Sequence, residues 1–409
     1  MFTLGQKYGI ISFRREKSKK ETVTVMKIFL KGFFGGVSRF FREADMILFA
    51  LCVFCAIFGI VIISSIGGDA DANQVTIQIV AVVIGIGLFA LFSYVDIDII
   101  ADKSKVLFLI CILLISTLFF WGRGLEEVGA GSWLRFGEIG IQPSEVTKVP
   151  FIIIIAKMIV VYRERKTLNT IWSLLKIVTV AGIFLVTIFA ASTDVGNPFV
   201  YIMILLAMLF IGGVQLRWFL IAGAIVGVLF YPLVWNNFFQ DYHRYRILAP
   251  YMRDAVDPRW LWQTDRSVIA IAAGGFLGQG LGNGVHTQAG AAWIPAFSTD
   301  FVFTAAAEEL GFVGGVFIIL LIVAIVIRCV QVGVRSNNAL GMLVCTGAAA
   351  LIAVQMVINI GMTLGITPVI GITLPFFSYG GSSIVTCFSA AGIVSGIKMR
   401  PKPTRFRMM

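Results

Sequence analysis

The chain has 409 residues, of which 58% are hydrophobic and 13% are charged, against roughly 25% charged residues in a typical soluble domain. Its mean hydropathy is +0.92 and its formal net charge is +11. A soluble globular protein of this length needs far more polar surface, so that class is excluded. In so apolar a chain, the positive charges are informative through the side of a membrane on which they lie. We expect no nucleic-acid partner.

Apolar runs along the chain predict an all-α polytopic membrane protein. Because a bilayer core needs roughly 20 apolar residues per helix, we predict about ten transmembrane helices. Two of these spans, near 145–162 and 199–214, are short or contain polar residues. The ten spans run near 46–66, 74–96, 105–121, 145–162, 171–191, 199–214, 217–235, 301–327, 338–363 and 380–397.

The basic residues orient these spans. With a cytoplasmic N-terminus, most of the 33 lysines and arginines fall on the cytoplasmic side, as the positive-inside rule requires, and ten spans return the C-terminus to that side. We predict a basic cytoplasmic tail over 1–45, a membrane domain over 46–398 and a basic cytoplasmic tail over 399–409. Phenylalanines alternate with basic residues between Lys27 and Arg42. This stretch forms either an interfacial amphipathic helix on membrane lipids or a disordered tail, since its glycines weaken a helix.

The first notable outer loop, from Gly122 to about Ser144, carries charged and aromatic residues and leads into the fourth span. Pro143, Ser144 and Glu145 form a helix-start signal, with a serine cap and an acid in the first turn. Glu145 and Lys148 are three residues apart and share one helix face. Two interpretations stay open, a helix cap with a local ion pair or a site that holds a charged head group.

The second outer loop, over 236–300 between spans seven and eight, is unusually long and therefore a candidate for function. Its arginines and tryptophans suit a sugar-phosphate ligand, because aromatic faces stack on sugar rings and guanidinium groups fork onto phosphate. The loop ends at Asp300, a carboxylate at the membrane boundary, where the alternative is an exposed interface residue. Glu308 and Glu309 follow inside the span and are functional candidates, unless they pair within the bundle.

A glycine-rich run within this loop, Gly278-Gln-Gly-Leu-Gly-Asn-Gly284, invites a nucleotide-binding interpretation. A dinucleotide site requires a preceding strand and a following helix in a βαβ unit, and the sequence predicts neither. We expect these glycines to let the backbone turn tightly or approach another segment closely.

Near the C-terminus, Pro368, Pro375 and the pair Gly380-Gly381 interrupt the helical pattern on the outer side. Irregular backbone at membrane depth is tolerated where it is buried in protein or lines a cavity. Ser378, Ser382 and Ser383 either satisfy the freed backbone groups or contact a ligand, and the sequence leaves both open.

Together these motifs resemble the SEDS family (RodA/FtsW/SpoVE), whose members act in shape, elongation, division and sporulation. The resemblance covers most of the chain from the first span onward. Each motif is weak by itself, and the resemblance is specific because all of them occur together in this order. They are Gln142-Pro-Ser-Glu145-x-x-Lys148, Asp194-x-Gly196, Gln263-x-x-x-Ser267 before Ala270-Ile-x-x-Gly-Gly275, Thr299-Asp300-Phe-x-Phe303, Glu308-Glu-Leu-Gly311, Asn359-Ile-Gly-Met362 and Leu374-Pro-x-x-Ser-Tyr-Gly-Gly-Ser-Ser383.

The resemblance implies a peptidoglycan glycosyltransferase that polymerises lipid II on the outer face of the bacterial cytoplasmic membrane. The growing glycan strand is the donor, undecaprenyl diphosphate leaves, and the GlcNAc 4-hydroxyl of a second lipid II is the acceptor. Asp300 matches the family's proposed base, and a partly desolvated carboxylate suits that task. The resemblance further implies substrate-binding roles for Glu145, Lys148, Asp194, Gln142, Trp133, Arg135, Gln263, Ser378 and Ser382, with Lys148 as a point charge on the diphosphate.

The sequence departs from the family pattern at three places. The usual Pro-Glu-Ala-His-Thr-Asp is Pro295-Ala-Phe-Ser-Thr-Asp300, the usual arginine before Trp133 is Ser132, and the proline before Asp194 is Thr193. These changes concern the acceptor pocket and leave the proposed base in place.

The resemblance also implies a cognate class B penicillin-binding protein as partner. A divalent cation, Mg²⁺ or Mn²⁺, is compatible with the diphosphate chemistry, but the sequence offers no clear ligand set and we predict no metal-binding residue. Two other functions stay open, a lipid II flippase or a non-catalytic scaffold of a cell-wall synthesis complex. A flippase favours inverted repeats and a continuous polar pathway, and we find no convincing repeat. The sequence does not distinguish roles in elongation, division and sporulation.

Overall fold

The computed structural model describes residues 39–67, 72–122, 131–136, 139–229, 241–336 and 338–400, together with the single positions 232, 235 and 237. It divides into two units, 1–46 and 47–409. In the first, the helical stretch over 39–43 carries an exposed ion pair between Arg39 and Glu43, 2.8 Å long. The N-terminal tail over 1–38 and the C-terminal tail over 401–409 lie outside the described residues, as does most of the predicted interfacial helix.

The first half of the chain is helical apart from one small hairpin. Strands β1 and β2, over Leu134–Phe136 and Ile139–Ile141, form an antiparallel pair that the all-α prediction did not include. The helices are α1 (Met46–Ser65), α2 (Ala72–Tyr94), α3 (Ile97–Asp102), α4 (Ser104–Ser116), α5 (Leu118–Trp121), α6 (Pro143–Val146), α7 (Lys148–Glu164), α8 (Ile171–Ser192) and α9 (Gly196–Gly212).

The second half contains the long outer loop and three long helices. Two 3₁₀ turns, Arg253–Ala255 and Gly290–Ala292, lie within the loop. The helices are α10 (Leu216–Leu229), α11 (Asp241–Leu248), α12 (Pro258–Gly274), α13 (Val285–Ala289), α14 (Val302–Arg335), α15 (Ala339–Thr363) and α16 (Gly381–Met399).

Seven described helices are long and apolar enough to cross a membrane, and each coincides with a predicted span. They are Met46–Ser65, Asn73–Tyr94, Ser104–Trp121, Ile171–Ser192, Val302–Arg335, Ala339–Thr363 and Gly381–Met399. The other three predicted spans coincide with the shorter helices α7, α9 and α10. A membrane protein with helical spans is thus confirmed, whereas the total of ten and the cytoplasmic location of both termini stay predictions.

Close backbone contact between α2 and α16 forms one side of the core. Gly392 and Gly396, four residues apart on one face of α16, lie against the backbone of α2. A Cβ atom at these positions would approach the carbonyl oxygens of Phe89 and Ser93 to 2.6 and 2.8 Å. Lipid supplies no hydrophobic drive between helices, so small residues that allow such approach stabilise the pair by van der Waals contact.

The long helix α14 is broken at Gly311, whose backbone is left-handed at φ 67° and ψ −166°. The segment after α12 replaces the interrupted helical bonds. The amides of Gln279 and Gly280 donate to the carbonyls of Glu308 and Glu309, and Phe312 N donates to Gly275 O at 2.9 Å.

The glycine-rich run supplies this contact. Gly278 has φ 82°, and a Cβ there would lie 2.1 Å from Glu309 O. The prediction that these glycines permit close backbone approach is confirmed, and the break directs the first turns of α14 toward the outer loop.

Candidate active site

Asp300 lies in a turn directly before α14 and is half-buried. Its amide donates to Ala296 O at 3.0 Å, which closes the turn. The fully buried side-chain amide of Asn359, on α15, donates to the carbonyl oxygens of Asp300 (2.8 Å) and Ile372 (2.7 Å). Asn359 therefore ties the Asp300 turn to the loop that precedes α16.

That loop, over 364–380, forms a wall of the Asp300 site. Tyr379 N donates to Ser298 O at 2.9 Å. Gln78, buried on α2, holds both sides of the Tyr379 turn, because its Nε2 donates to Ser378 O and its Oε1 accepts from Gly380 N. Gly371 faces the carboxylate, since a Cβ there would lie 3.5 Å from Asp300 Oδ2. The irregular backbone predicted for this segment is thus packed against the candidate base.

The hydroxyls of Ser378 and Ser382 bond to backbone. Ser378 Oγ accepts from Leu374 N at 2.8 Å. Ser382 Oγ accepts from Gln142 N at 2.9 Å and donates to Gly140 O at 3.4 Å, which links α16 to the hairpin. These bonds agree with the backbone-satisfying alternative, and a role in ligand binding stays a prediction.

Glu145 and Lys148 form a buried ion pair of 2.5 Å, and Lys148 is fully buried. Glu145 lies on α6 and Lys148 begins α7, on either side of Thr147. Thr147 Oγ1 bonds to Pro143 O and to the hydroxyl of Tyr201, which also donates to Ser144 O. Within the described part of the chain, the buried Glu145 Oε2 has no hydrogen-bond partner, so one oxygen of this carboxylate is left unsatisfied.

Asp194 begins α9 as a cap. Its Oδ1 accepts from Gly196 N at 2.8 Å and its Oδ2 accepts from Asn197 Nδ2 at 2.7 Å. Burial raises the pKa of Asp194, while these hydrogen bonds and the positive charge of Lys148 lower it.

Burial raises the pKa of Asp300 to about 6. A hydrogen bond from Thr299 and the charge of Arg246 oppose this shift, whereas the negative charge of Asp194 adds to it. Asp194 and Asp300 meet the same loop from separate segments of the chain, because Gly196, which Asp194 caps, packs against Ile370 O, and the neighbouring Gly371 faces Asp300. A carboxylate with this pKa is a suitable proton acceptor near neutral pH.

A cavity of about 170 Å³ lies in the outer loop, and Gln263 is one of its lining residues. Arg246, whose positive charge lowers the pKa of Asp300, lines the cavity as well. Trp133 and Arg135 lie instead on the hairpin. The Trp133 ring packs half-buried over Gly140, and the Arg135 side chain is exposed.

Glu308 and Glu309, the carboxylates predicted inside the span, have structural partners. Glu308 is fully buried and accepts from the amides of His286 (2.9 Å) and Thr287 (2.7 Å), from His286 Nδ1 and from Thr287 Oγ1. Glu309 accepts a 2.5 Å bond from Ser65 Oγ at the end of α1. Glu308 thus anchors α13 to the first turns of α14, in agreement with pairing inside the bundle.

Sequence reasoning did not assign roles to Asn359, Gln78 or Arg246. Asn359 and Gln78 are amides inside apolar spans, and a polar group at such depth needs a partner. That rule could have marked both as loop-holding residues, but it could not have named the loops they hold. Arg246 is one of several arginines in its loop, and nothing in its spacing distinguishes it from Arg244.

The described residues contain no group of three or more histidine, cysteine, aspartate or glutamate side chains placed to hold a metal ion. Mg²⁺ is often held by one or two carboxylates together with substrate phosphates, so a divalent cation on the diphosphate stays a prediction.

Comparisons with known proteins agree with this architecture. Residues 44–402 match the family model FTSW_RODA_SPOVE, described as cell cycle protein. Stage V sporulation protein E of Bacillus subtilis is 31% identical over 76% of this chain and 84% of its own length. Peptidoglycan glycosyltransferase MrdB of Escherichia coli K12 is 31% identical over 87% of this chain and 93% of its own.

Two solved structures are similar. One comes from work on "Structural coordination of polymerization and crosslinking by a peptidoglycan synthase complex" and has a TM-score of 0.74 at 26% identity, covering 87% of this chain and 98% of that one. The other, the rod shape determining protein RodA of Thermus thermophilus, shares the fold with a TM-score of 0.64 at 22% identity over 87% and 97%. With seven apolar spans and a family match over 44–402, the chain is a multi-pass protein of the bacterial cytoplasmic membrane and belongs to the FtsW/RodA/SpoVE family.

Proposed function

We propose that this protein is a peptidoglycan glycosyltransferase that polymerises lipid II on the outer face of the cytoplasmic membrane. The observation that carries the proposal is the half-buried Asp300, whose turn is held by Asn359 and whose carboxylate faces Gly371, in a chain that is 31% identical to a protein named peptidoglycan glycosyltransferase. With ten transmembrane helices and both termini in the cytoplasm, as the sequence predicts, residues 236–300 would lie on the outer side, where lipid II is polymerised.

In the proposed reaction, Asp300 accepts the proton of the GlcNAc 4-hydroxyl of the acceptor lipid II. The oxygen then bonds to the anomeric carbon of the glycan donor as the bond from that carbon to the diphosphate breaks. The electron pair leaves with undecaprenyl diphosphate, and attack opposite the leaving group inverts the configuration at the anomeric carbon. The proton on Asp300 passes to solvent before the next cycle.

The neighbouring charges fit the two other needs of this reaction. Lys148 is a point charge suited to the developing negative charge on the leaving diphosphate, since a buried ammonium interacts more strongly with an anion than an exposed one. Glu145 fixes the ammonium in place through its 2.5 Å ion pair. Burial, with a smaller contribution from the charge of Asp194, raises the pKa of Asp300 and makes it a stronger base once it is ionised.

The proposed partner is a class B penicillin-binding protein, which supplies the crosslinking activity. A structural neighbour from a peptidoglycan synthase complex that joins polymerisation and crosslinking supports this partner. Lipid II, the nascent glycan strand and membrane lipids are the other expected partners.

Polymerisation by the purified full-length chain tests the proposal. Fluorescent lipid II is incubated with the protein in nanodiscs, with and without a candidate penicillin-binding protein, and the products are separated by gel electrophoresis. We expect glycan ladders that lengthen with time. A chain that moves lipid II between leaflets but forms no ladder under any partner condition would favour the flippase instead.

The initial rate of polymerisation should begin to fall as the pH drops to about 6. Asp300 acts as a base only when it is ionised, and its pKa is about 6. We expect the initial rate of polymerisation to fall about tenfold for each pH unit below that value. Initial rates between pH 5 and 8 measure this fall, and thermal unfolding at each pH controls for loss of fold. A rate that stays flat to pH 5 would remove Asp300 from the role of base.

A further inference from the structure

Three described residues other than glycine have a left-handed backbone, and two of them belong to segments of the candidate site. They are Lys166 (φ 57°), Thr193 (φ 54°) and Phe376 (φ 68°). Phe376 lies in the loop over 364–380, and Thr193 ends α8 directly before Asp194. A β-branched residue such as threonine rarely adopts this conformation, because its Cβ crowds the following carbonyl oxygen. Such outliers persist only where the surrounding structure enforces them, and they cluster at functional sites.

Hydrogen bonds at the end of α8 hold Thr193 in this conformation. Its amide donates to Phe189 O at 2.9 Å, and its hydroxyl donates to Ser192 O at 2.7 Å. Ser192 is buried, and its hydroxyl donates to Ile188 O and accepts a 3.4 Å bond from the amide of Asp194. The Thr193 side chain is exposed, so a substitution there changes the backbone without leaving a cavity in the core.

The left-handed turn leads Asp194 into the first turn of α9. Asp194 caps that turn by accepting from Gly196 N at 2.8 Å and from Asn197 Nδ2 at 2.7 Å. A Cβ on Gly196 would lie 2.4 Å from Ile370 O and 3.3 Å from the side chain of Ile372. The start of α9 is therefore in direct backbone contact with the loop over 364–380.

That contact lies beside the candidate base. Gly371, the residue after Ile370, faces the Asp300 carboxylate, since a Cβ there would lie 3.5 Å from Oδ2. Asn359 bonds to the backbone carbonyls of both Asp300 and Ile372. A shift of the first turn of α9 would therefore change the wall that the base faces.

We propose that Thr193 is a positioning residue, whose left-handed backbone fixes the Asp194 cap and the first turn of α9 against the loop and thereby sets the wall of the Asp300 site. This inference rests on the proposed function, because it concerns the base of that reaction. It also explains the departure from the family pattern at this position. Proline has φ fixed at about −65° and no amide hydrogen, so it can adopt neither the backbone of Thr193 nor the bond to Phe189 O.

Substitutions that differ in their tolerance of positive φ test the assignment on the full-length chain in nanodiscs. Thr193→Gly and Thr193→Asn should retain polymerisation, because both residues adopt a left-handed backbone readily. In Thr193→Pro we expect kcat to fall about tenfold to a hundredfold, with a smaller change in KM. The pH at which its rate falls should also be lower, because a displaced wall admits water to Asp300, and burial is the main cause of its raised pKa. Arg246 and Asp194 are the charged groups that also act on Asp300, and displacement of Asp194 would lower the pKa further.

The matched control is Lys166→Pro, in the loop that precedes α8. Lys166 is exposed, has φ 57° and donates its amide to Arg163 O at 3.0 Å, so proline there removes the same kind of backbone and one amide bond. Its kcat and pH profile should stay those of the wild type. If Thr193→Pro does not fold, Thr193→Ile replaces it, since bulky β-branched residues disfavour positive φ, and a smaller fall in kcat is expected. Equal kcat in the glycine and proline variants, or an equal loss in Lys166→Pro, overturns the proposal.

Hydrogen exchange separates this inference from the proposed function, because it needs no turnover. Peptides that cover 364–380 should exchange faster in Thr193→Pro than in the wild type, Thr193→Gly or Lys166→Pro. Unchanged exchange in a folded Thr193→Pro chain overturns the positioning role. Failure of the wild-type chain to form glycan counts instead against the proposed function.

Discussion

Replacing Asp300 with asparagine should reduce lipid II polymerisation by roughly 10²–10⁴-fold, the contribution of a positioned general base. Asparagine has nearly the same shape but cannot accept the proton. The turn should keep its conformation, because Asn359 holds the backbone carbonyl of residue 300 and the amide bonds to Ala296 O. The rate of ladder formation by purified wild-type and variant chains measures the effect.

Asp102→Asn is the matched control for this substitution. Asp102 is an exposed carboxylate whose bond to Lys157 is 2.7 Å long, and ion pairs of exposed side chains contribute little to stability. Its variant should polymerise lipid II at the wild-type rate. If Asp300→Asn does so as well, with unchanged thermal unfolding, another group must act as the base.

Replacing Lys148 with methionine should destabilise the protein by about 3–5 kcal/mol, because it leaves the Glu145 carboxylate buried without its cation. The double variant Glu145→Gln with Lys148→Met should recover most of that stability, since neither residue then carries a buried charge. It should still be deficient in polymerisation, because the cation for the leaving diphosphate is missing. Thermal unfolding and ladder formation on the same preparations separate the two effects.

Lys157→Met tests the same substitution on the same helix, α7. Lys157 is partly exposed and pairs with the exposed Asp102, so its loss should leave the stability almost unchanged. A folded double variant at Glu145 and Lys148 that forms glycan at the wild-type rate would restrict Lys148 to a structural role.

The local signals in the sequence were accurate where a residue's partners are its near neighbours. Glu145 and Lys148 are three residues apart, so their pairing follows from helical spacing, and the structure contains it. Glycine's freedom from a Cβ predicted close approach at Gly278, and the contact with Glu309 O is present. The hairpin at 134–141 was not predicted, because two three-residue strands give almost no periodic signal.

The partners of buried polar groups were less accessible to sequence reasoning. Glu308 was a functional candidate because a carboxylate in a span is costly. The structure gives it four hydrogen bonds from His286 and Thr287, about twenty residues earlier in the chain, which satisfy that cost within the fold. The cost of burying a carboxylate therefore identified Glu308 as a constrained residue, but it could not distinguish a catalytic role from an anchoring role.

By itself, the sequence determined that the chain lies in a membrane, where most of its spans are, and which polar motifs interrupt them, because hydropathy and helix spacing are local properties. Only the tertiary structure decided that the segments of Asp194 and Asp300 meet the same loop at residues 370–371, that Asn359 joins the turn of Asp300 to that loop, and that Arg246 rather than Arg244 lines the cavity. These relations join segments that are far apart in the chain. They depend on which helices pack together and at what angle, and packing of that kind is set by the side chains of the whole bundle rather than by any one motif.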